Sequence, residues 1–597
     1  MKQFKYLLAL LFLGLTTTLT NAQTGKRIQI EYTGFIYQDS LTGKDVATFV
    51  RDDQQQIHII HEGINMWCDK AVYYKKENFI EAFSNVKMKQ GDTINMTAKY
   101  VEYSGKTQLA YARGDVILTE PQSTLTTDTL FFDRAKQEAF YKSKGKVVRD
   151  SSGTITSQIG RYYMKDKKYR FVQDVLLVNP EYTLTTNQLD FYSETGGAFM
   201  YGPSTIKGDA STIYCERGYY NTNNDTGYFI KNSTINYENR VIEGDSLYFN
   251  RTTSFASATN NIKVTDTINN SIITGHYAEV YRAKDSVYIT KRALAITVQE
   301  NDSIYLHADK IMVTGKPEHR ITRAFYNAKI FKSDISGKAD SIHADHKEGL
   351  TQLINLKRFA PKDAFAVKRR PILWNMGNQM TGDSIHLISN VVTEELDSLK
   401  VFENAFLISK DTTGVVTEGY NQIKGQRLIG LFKDNALYNV DIIKNAEKIY
   451  YSVNDKGELV GIDKSKSGLI SIKIVDNAID EIRLINQIDG NLYPDSKFPK
   501  KTRKLRGFDW RENERPKTVE DLFKDDEPLK LPIIKGLEPY VPEEDFFDDD
   551  LLQRIEDAHD KTSSKENKAD RNTPKATVKK SVKKGYKKLS TQKTSDN

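Results

Sequence analysis

The feature of this 597-residue sequence that most limits its fold is a short phrase that recurs about every 30 residues. The phrase reads apolar, any, small, Asp or another polar residue, any, apolar, any, apolar, as in TLTTDTLFFD (124–133), VIEGDSLYFN (241–250) and QMTGDSIHLI (379–388). Aligning on the small residue gives about thirteen units, at Cys68, Ala98, Thr127, Ser157, Thr186, Cys215, Gly244, Gly275, Ala308, Ala339, Gly382, Gly425 and Ala446. The first ten are 29 to 33 residues apart, and the repeat degenerates after about residue 340. A fixed period of this length predicts a stacked repeat architecture.

Within the phrase, the apolar residues change face at the Asp position. Leu125 and Thr127 share one parity, whereas Leu130 and Phe132 share the other. Because side chains alternate between the two faces of a strand, this change indicates a bulge or corner. A small residue followed by Asp or Asn suits such a corner. We therefore expect each phrase to be a strand that bends from one sheet into another.

The segment between phrases alternates without interruption. In LAYARGDVIL (109–118), small and apolar residues occupy one face and charged residues the other. This is typical of strands with one wet face, and helical periodicity is absent before about residue 518. We predict an all-β fold for residues 23–493: an elongated two-sheet β-solenoid, or β-taco, built from ~30-residue repeats. Cys68 and Cys215 lie five units apart in this stack, so we expect two free, buried thiols.

The two ends of the chain differ from the repeats. Residues 1–22 have a basic start, an apolar stretch at 6–15 and a small residue before the predicted cut, as in a cleavable signal peptide. Removing Lys2 and Lys5 leaves 84 basic residues (86 less 2) against 79 acidic ones, a net charge of +5 that does not indicate nucleic acid binding. Residues 494–597 carry blocks of like charge and predict a disordered, low-order charged tail. Phe508-Asp509-Trp510 is the predicted anchor if this tail docks on a partner, and Thr518 could cap a short helix at 518–525.

No known catalytic signature is present. GxSxG, HExxH, the P-loop and paired CxxC motifs are all missing from the sequence. His343 and His346 fall near a repeat corner, which explains them better than metal ligation. The aspartates of the phrase repeat at unit spacing and do not converge on one bond, as the carboxylates of a glycosidase would. We therefore expect a protein that is not an enzyme and that uses no metal or cofactor.

The repeats resemble those of the OstA-like (LptA-like) family of lipopolysaccharide-transport proteins. The segments that carry the resemblance are 62–88, 96–118 and 242–264, each with the phrase followed by alternating small residues. The resemblance implies an open jelly roll whose apolar interior receives acyl chains of lipopolysaccharide or a related glycolipid. It also implies a bridge in the periplasm of a Gram-negative envelope, working in outer membrane biogenesis and pairing by strand edges with inner- and outer-membrane transport components.

The sequence leaves open whether the interior is empty or filled, and which function the repeats serve. Small inner residues would leave room for an acyl chain, whereas large ones such as Phe132, Tyr248 and Phe249 would fill the space. If the groove is open, the predicted lipid-binding wall positions are Ala112, Val116, Leu118, Leu125, Leu130, Phe132, Leu247, Phe249, Ile262 and Val264. The main alternative is an exported structural or adhesive β-solenoid that binds proteins or glycans on its outer face. A carbohydrate-active β-helix enzyme is a third reading.

Overall fold

The computed structural model describes residues 27–537, apart from 39–44, 150–152, 210, 238, 269, 299–301, 356–369, 376, 394, 411–418, 435, 455 and 477. The predicted signal peptide and residues 538–597 of the predicted tail lie outside the described residues. The described chain forms 36 strands that pair antiparallel, mostly as consecutive hairpins, which confirms the all-β prediction. No helix in the described part of the chain is both long enough and apolar enough to cross a membrane.

The strands of the first half are β1 (Gln29–Tyr32), β2 (Phe35–Tyr37), β3 (Val46–Val50), β4 (Ile57–His61), β5 (Ile64–Cys68), β6 (Lys70–Tyr74), β7 (Phe79–Gln90), β8 (Ile94–Ser104), β9 (Leu109–Glu120), β10 (Ser123–Asp133), β11 (Glu138–Tyr141), β12 (Gly145–Arg149), β13 (Gly153–Ser157), β14 (Ile159–Tyr163), β15 (Lys168–Asn179), β16 (Tyr182–Tyr192), β17 (Gly197–Gly208) and β18 (Ser211–Asn221).

The strands of the second half are β19 (Thr226–Tyr237), β20 (Arg240–Asn250), β21 (Phe255–Asp266), β22 (Ser271–Tyr281), β23 (Ser286–Thr297), β24 (Ile304–Thr314), β25 (Ile321–Phe331), β26 (Ile335–Asp345), β27 (Leu350–Ile354), β28 (Ile372–Asn375), β29 (Asn378–Thr381), β30 (Ser384–Ser389), β31 (Leu396–Lys410), β32 (Tyr420–Lys433), β33 (Ala436–Val453), β34 (Leu459–Val475), β35 (Ala478–Ile485) and β36 (Asp489–Tyr493). Single 3₁₀ turns lie at Arg282–Lys284, Pro317–His319, Asp495–Lys497, Lys500–Thr502, Glu512–Glu514 and Glu520–Phe523.

A bulge in the middle of the strands bends the ribbon lengthwise. On β7, Ser84 and Asn85 have left-handed φ angles of 60° and 49°, and together they oppose the single residue Lys99 of β8. Similar pairs of left-handed residues recur at 173–174, 231–232, 260–261, 291–292, 326–327, 403–404, 444–445 and 486–487. The bend divides the ribbon into a first sheet, which includes 94–98 of β8, and a second sheet, which includes 100–104. The predicted corner is therefore present.

Side-chain hydrogen bonds at the bulge explain the Asp of the phrase. The Asn85 amide donates to the Asp69 carboxylate at 2.6 Å, and Asn261 donates to Asp245 at 2.7 Å. Asn tolerates the left-handed region better than most residues, so one residue type provides both the backbone geometry and the donor. The prediction for the last unit was wrong: Ala446 follows the left-handed pair on β33 and lies opposite Ser467, which is the small residue of that unit.

The inner faces of the two sheets form one continuous hydrophobic core that runs along the ribbon. Cys68 and Cys215 are buried in it as free thiols, as predicted. Burial raises the pKa of each thiol to about 12. Both sulfurs therefore remain protonated and behave as small apolar groups.

Residues 494–537, which we predicted as part of a low-order tail, instead form a strap along the outer side of the first sheet. Phe498 and Leu505 are buried in a second cluster with outward residues of β31–β34, and Phe508 and Trp510 stack around Tyr420. The strap runs back along the stack, and its successive contacts pair Leu505 with Gln422, Arg511 with Gln379, Leu522 with Lys329, Asp526 with His307 and Pro532 with Asn260.

Two glutamines of the first sheet form the same pair of hydrogen bonds with the main chain of the strap. Gln422 accepts from the Leu505 N–H and donates to the Arg503 carbonyl, both at 2.8 Å. Gln379 does the same with Arg511 and Asp509, at 2.7 and 2.6 Å. Both glutamines stand three residues before the small residue of their phrase, and both are fully buried. The repeat therefore presents matched amide groups to an extended segment.

Candidate functional site

The interior between the two sheets is filled in residues 57–221, which we call the packed section. Aromatic side chains cross the interior there, and Tyr103, Tyr141, Tyr162, Phe171 and Phe191 are each at most 2% exposed. The glycines at 145 and 160 make room for Tyr141, because a Cβ at either position would collide with its ring. These buried rings occupy the space between the two sheets in this part of the molecule.

Polar contacts join the free margins of the two sheets across the mouth of the packed section. A margin is the end of a sheet away from the bend, where the hairpin turns lie. The contacts pair His61 with Tyr103 at 2.7 Å, Glu62 with Arg134 at 3.2 Å, Gln90 with Gln137 at 2.9 Å, Glu120 with Tyr169 at 3.1 Å, and Glu181 with Arg251 at 2.7 Å. The mouth is therefore bridged as well as filled.

Residues 240–433, which we call the open section, enclose a cavity of about 520 Å³. Its wall is mainly apolar and includes Val264, Ile273, Val287, Leu306, Val313, Ile342, Ala344 and Leu387. Many inner residues there are only partly buried, such as Ile273 and Ala295. The two sheets thus keep the same topology but separate enough to leave a groove.

One position of the repeat explains the change from filled to open. Five residues after the small residue, the side chain points inward near the mouth. Along the chain this position holds Tyr73, Tyr103, Phe132, Tyr162, Phe191, Tyr220 and Phe249, and then Val280, Val313, Ala344, Leu387 and Gly430. Replacing a ring with a small side chain removes the group that spans the two sheets.

The ten predicted wall residues all face the interior, and nine of them are buried. Those from Ala112 to Phe132 lie in the packed section. Leu247, Phe249 and Ile262 lie in the open section but are not among the residues that line the cavity, whereas Val264 lines it. The prediction missed the walls contributed by β24 and β26, although the small residue at the position just described could have located them.

Charged residues lie along the margins of the cavity. Arg320, on the second-sheet margin and 7% exposed, donates through Nη1 to Asp266 on the first-sheet margin. Asp266 also accepts from the Asn239 amide at 2.6 Å, and Arg240 Nε lies 3.7 Å away. His346 lies within 2.9 Å of the Thr322 hydroxyl, and burial together with Arg320 lowers the pKa of its imidazole. The groove therefore combines an apolar floor with a polar rim.

The remaining histidines of the described chain have contacts that do not suggest metal chemistry. His343 contacts the Ser341 hydroxyl at 2.8 Å, which is a local partner on the same strand. Among the residues that the structure describes, no group of three or more His, Cys, Asp or Glu side chains is placed to hold a metal ion.

Comparison with known proteins gives a family match over part of the chain. Residues 26–187 match the family model described as OstA-like protein. No curated protein matches the chain. Fourteen chains of solved structures match, among them LptH, "the LptA homologous periplasmic component of the conserved lipopolysaccharide transport device from Pseudomonas aeruginosa". That match has 12% identity and a TM-score of 0.20, and covers 22% of this chain and 92% of LptH. The resemblance predicted from the repeats is confirmed for residues 26–187, which match the OstA-like family model.

Proposed function

We propose that this protein is a periplasmic lipid-binding bridge that carries lipopolysaccharide or a related glycolipid toward the outer membrane. The observation that carries this proposal is the apolar cavity of about 520 Å³ in the open section. Its volume falls in the range of ~300–1,000 Å³ that is usual for ligand sites. An acyl chain inside it would gain ~0.8 kcal/mol for each CH₂ group removed from water. The protein binds and transfers its cargo without changing it chemically.

The polar rim complements such an amphiphile. The apolar walls would cover the acyl chains, and the charged margins would contact the headgroup at the mouth. The OstA-like match in residues 26–187 supports a transport role for the ribbon, and the groove lies further along the same ribbon. We propose that the packed section is a rigid spacer and that cargo occupies the open section.

The ends of the ribbon support pairing with transport partners at each membrane. Among the described strands, β2 pairs with β3 and β36 pairs with β34, so both stand at the edges of the stack. Both edge strands carry exposed apolar side chains, including Ile36 at 61% on β2 and Leu492 at 56% on β36. An extended strand edge can accept a strand from another protein, with main-chain hydrogen bonds providing the affinity.

Site-specific photo-crosslinking in cells tests this proposal. A photoreactive residue at Val313 or Ala344 should give lipopolysaccharide adducts, whereas the same residue at Leu130 should give far fewer because that site is filled. A photoreactive residue at the outward Arg113 serves as the control. Protein or glycan adducts from Arg113, with none from Val313 or Ala344, would favour the adhesive alternative and overturn the proposed function.

A further inference from the structure

Arg320 has an unused hydrogen-bonding edge. Its Nη1 donates to Asp266, but its Nε and Nη2 have no hydrogen-bond partner among the described residues, although both atoms are buried. A buried N–H without an acceptor is costly, so such groups are normally satisfied by protein, water or ligand. Arg320 also lines the cavity of the open section. The missing acceptor therefore belongs at the rim of the groove.

The same edge is occupied by a carboxylate elsewhere in this protein. Arg170 donates through Nε and Nη2 to the two oxygens of Asp190, both at 2.8 Å. Arg511 donates through the same two nitrogens to the two oxygens of Glu514, at 2.8 and 2.9 Å. Two parallel N–H groups match the two oxygens of a carboxylate or phosphate. The vacant edge of Arg320 thus has the donor geometry for one oxyanion.

Neighbouring groups hold the Arg320 side chain in place. Asp266 reaches it from the opposite sheet, and Asn239 orients Asp266 in turn. The main-chain carbonyl of Arg320 accepts from the His346 N–H at 3.1 Å. Because the Arg320 guanidinium is already held in place, it loses little conformational entropy when a ligand binds.

The surrounding charges limit the charge of the ligand. Besides Asp266, the aspartates that line the cavity are Asp285, Asp302, Asp334 and Asp345, against the basic residues Arg240, Arg320 and Lys332. With five carboxylates and three cations around the cavity, like-charge repulsion disfavours more than one anionic group of a headgroup at this rim. A single oxyanion on Arg320 meets its donors directly and adds the least repulsion.

We infer that Arg320 is a headgroup site, which binds one carboxylate or phosphate of an amphiphile whose acyl chain lies in the cavity. This assignment rests on the proposed function, because it requires that the groove holds lipid. It adds the chemistry of recognition, one oxyanion of the headgroup presented at the rim, and names the residue that binds it.

The test compares three probes on the purified full chain: hexadecanoic acid, hexadecyl phosphate and methyl hexadecanoate, each displacing a fluorescent lipid. The variant is Arg320→Gln with Asp266→Asn, which removes both charges so that no carboxylate is left without its partner. Arg251→Gln with Glu181→Gln is the matched control, because it removes the equivalent bridge outside the cavity. Thermal unfolding checks that each variant is folded, and Arg320→Lys provides a second variant that keeps the charge but loses the fork.

The wild type and the control should bind the acid, the phosphate or both roughly tenfold more tightly than the neutral ester. Whichever of the two binds better identifies the oxyanion. The Arg320 variants should lose this preference while their affinity for the ester stays the same. Equal binding of acid, phosphate and ester by the wild type, or a preference that persists in the variants, would overturn the inference and leave the proposed function standing. Failure of all three probes to bind the wild type would overturn both.

Discussion

The packed section and the open section are built from the same bent hairpin, yet one has a solid interior and the other a cavity. The bulge, the pairing register and the small residue are shared. The sections differ at one inward position, which is Tyr or Phe as far as Phe249 and then Val, Ala, Leu or Gly. The bridges across the mouth described above continue along the chain as far as Arg320–Asp266. Repeats can thus keep their backbone while a few side chains decide where a ligand fits.

The largest expected effect is on the stability of the packed section. Phe191 is 1% exposed and fills the space between the sheets. Phe191→Ala should reduce the local free energy of unfolding by about 3–5 kcal/mol, because it creates a cavity in a dense core. Hydrogen exchange of the amides of β15–β18 measures this local loss of stability. A local measurement is needed because a stack of repeats can unfold in parts. Leu387→Ala at the same repeat position of the open section should cost less. Equal losses at the two sites would remove the distinction between the sections.

The next effect is on ligand binding in the open section. Val313→Phe restores an aromatic ring at the position where the packed section has one, and should reduce affinity for a fluorescent lipid by roughly tenfold or more. Val178→Phe is the matched control, because Val178 is 43% exposed on the outer face. Titration of each purified variant measures the change. Lipid affinity in Val313→Phe equal to that of the wild type would place the ligand elsewhere.

The bent ribbon could be predicted from the sequence because its cause is local and repeated. Asp69 and Asn85 mark a corner through backbone preference and one hydrogen bond, and the same pairing recurs along the chain. The groove was only partly predictable. Inner faces could be assigned by parity, but the filled and open sections depend on how side chains from opposite sheets meet. The Arg320–Asp266 bridge joins residues that are 54 positions apart in the sequence. This separation is not a multiple of the repeat length, so the repeat pattern does not predict the bridge.

The strap could not be predicted for a different physical reason. Its sequence has charge blocks and no apolar period, so it resembles an unfolded tail. Apolar strap residues such as Phe498 and Leu505 are too widely spaced to form a periodic pattern. Gln379 and Gln422 of the sheet bind main-chain atoms of the strap, and these contacts leave no mark on the strap sequence. The strap crosses the outer side of the open section, where the interior holds the cavity. We therefore expect the strap to support the sheet from outside.

Gln422→Ala tests this support and should have a smaller effect. It removes two hydrogen bonds to the strap and should reduce local protection of residues 498–511 by about 1–2 kcal/mol. Limited proteolysis and hydrogen exchange of that segment provide the measurement, with the exposed Gln54 changed to Ala as the control. If β31–β34 keep full protection while the strap is released, the strap is bound to the sheet but does not support it.

The smallest effect concerns pH, and it again separates the two sections. Burial lowers the pKa of His276, His343, His346 and His386, all in the open section. Because the folded-state pKa lies below the unfolded value of about 6.5, the unfolded chain takes up protons first. The contribution of these histidines to the free energy of unfolding is at its full value above pH 6.5, and it decreases as the pH falls through and below that value. Hydrogen exchange at pH 7.5 and 5.5, corrected for intrinsic rates, should therefore show more loss of protection in β22, β26 and β30 than in β8–β17. His346→Gln should reduce that loss in β26, because glutamine takes up no proton, and an equal loss in both sections would contradict the assignment.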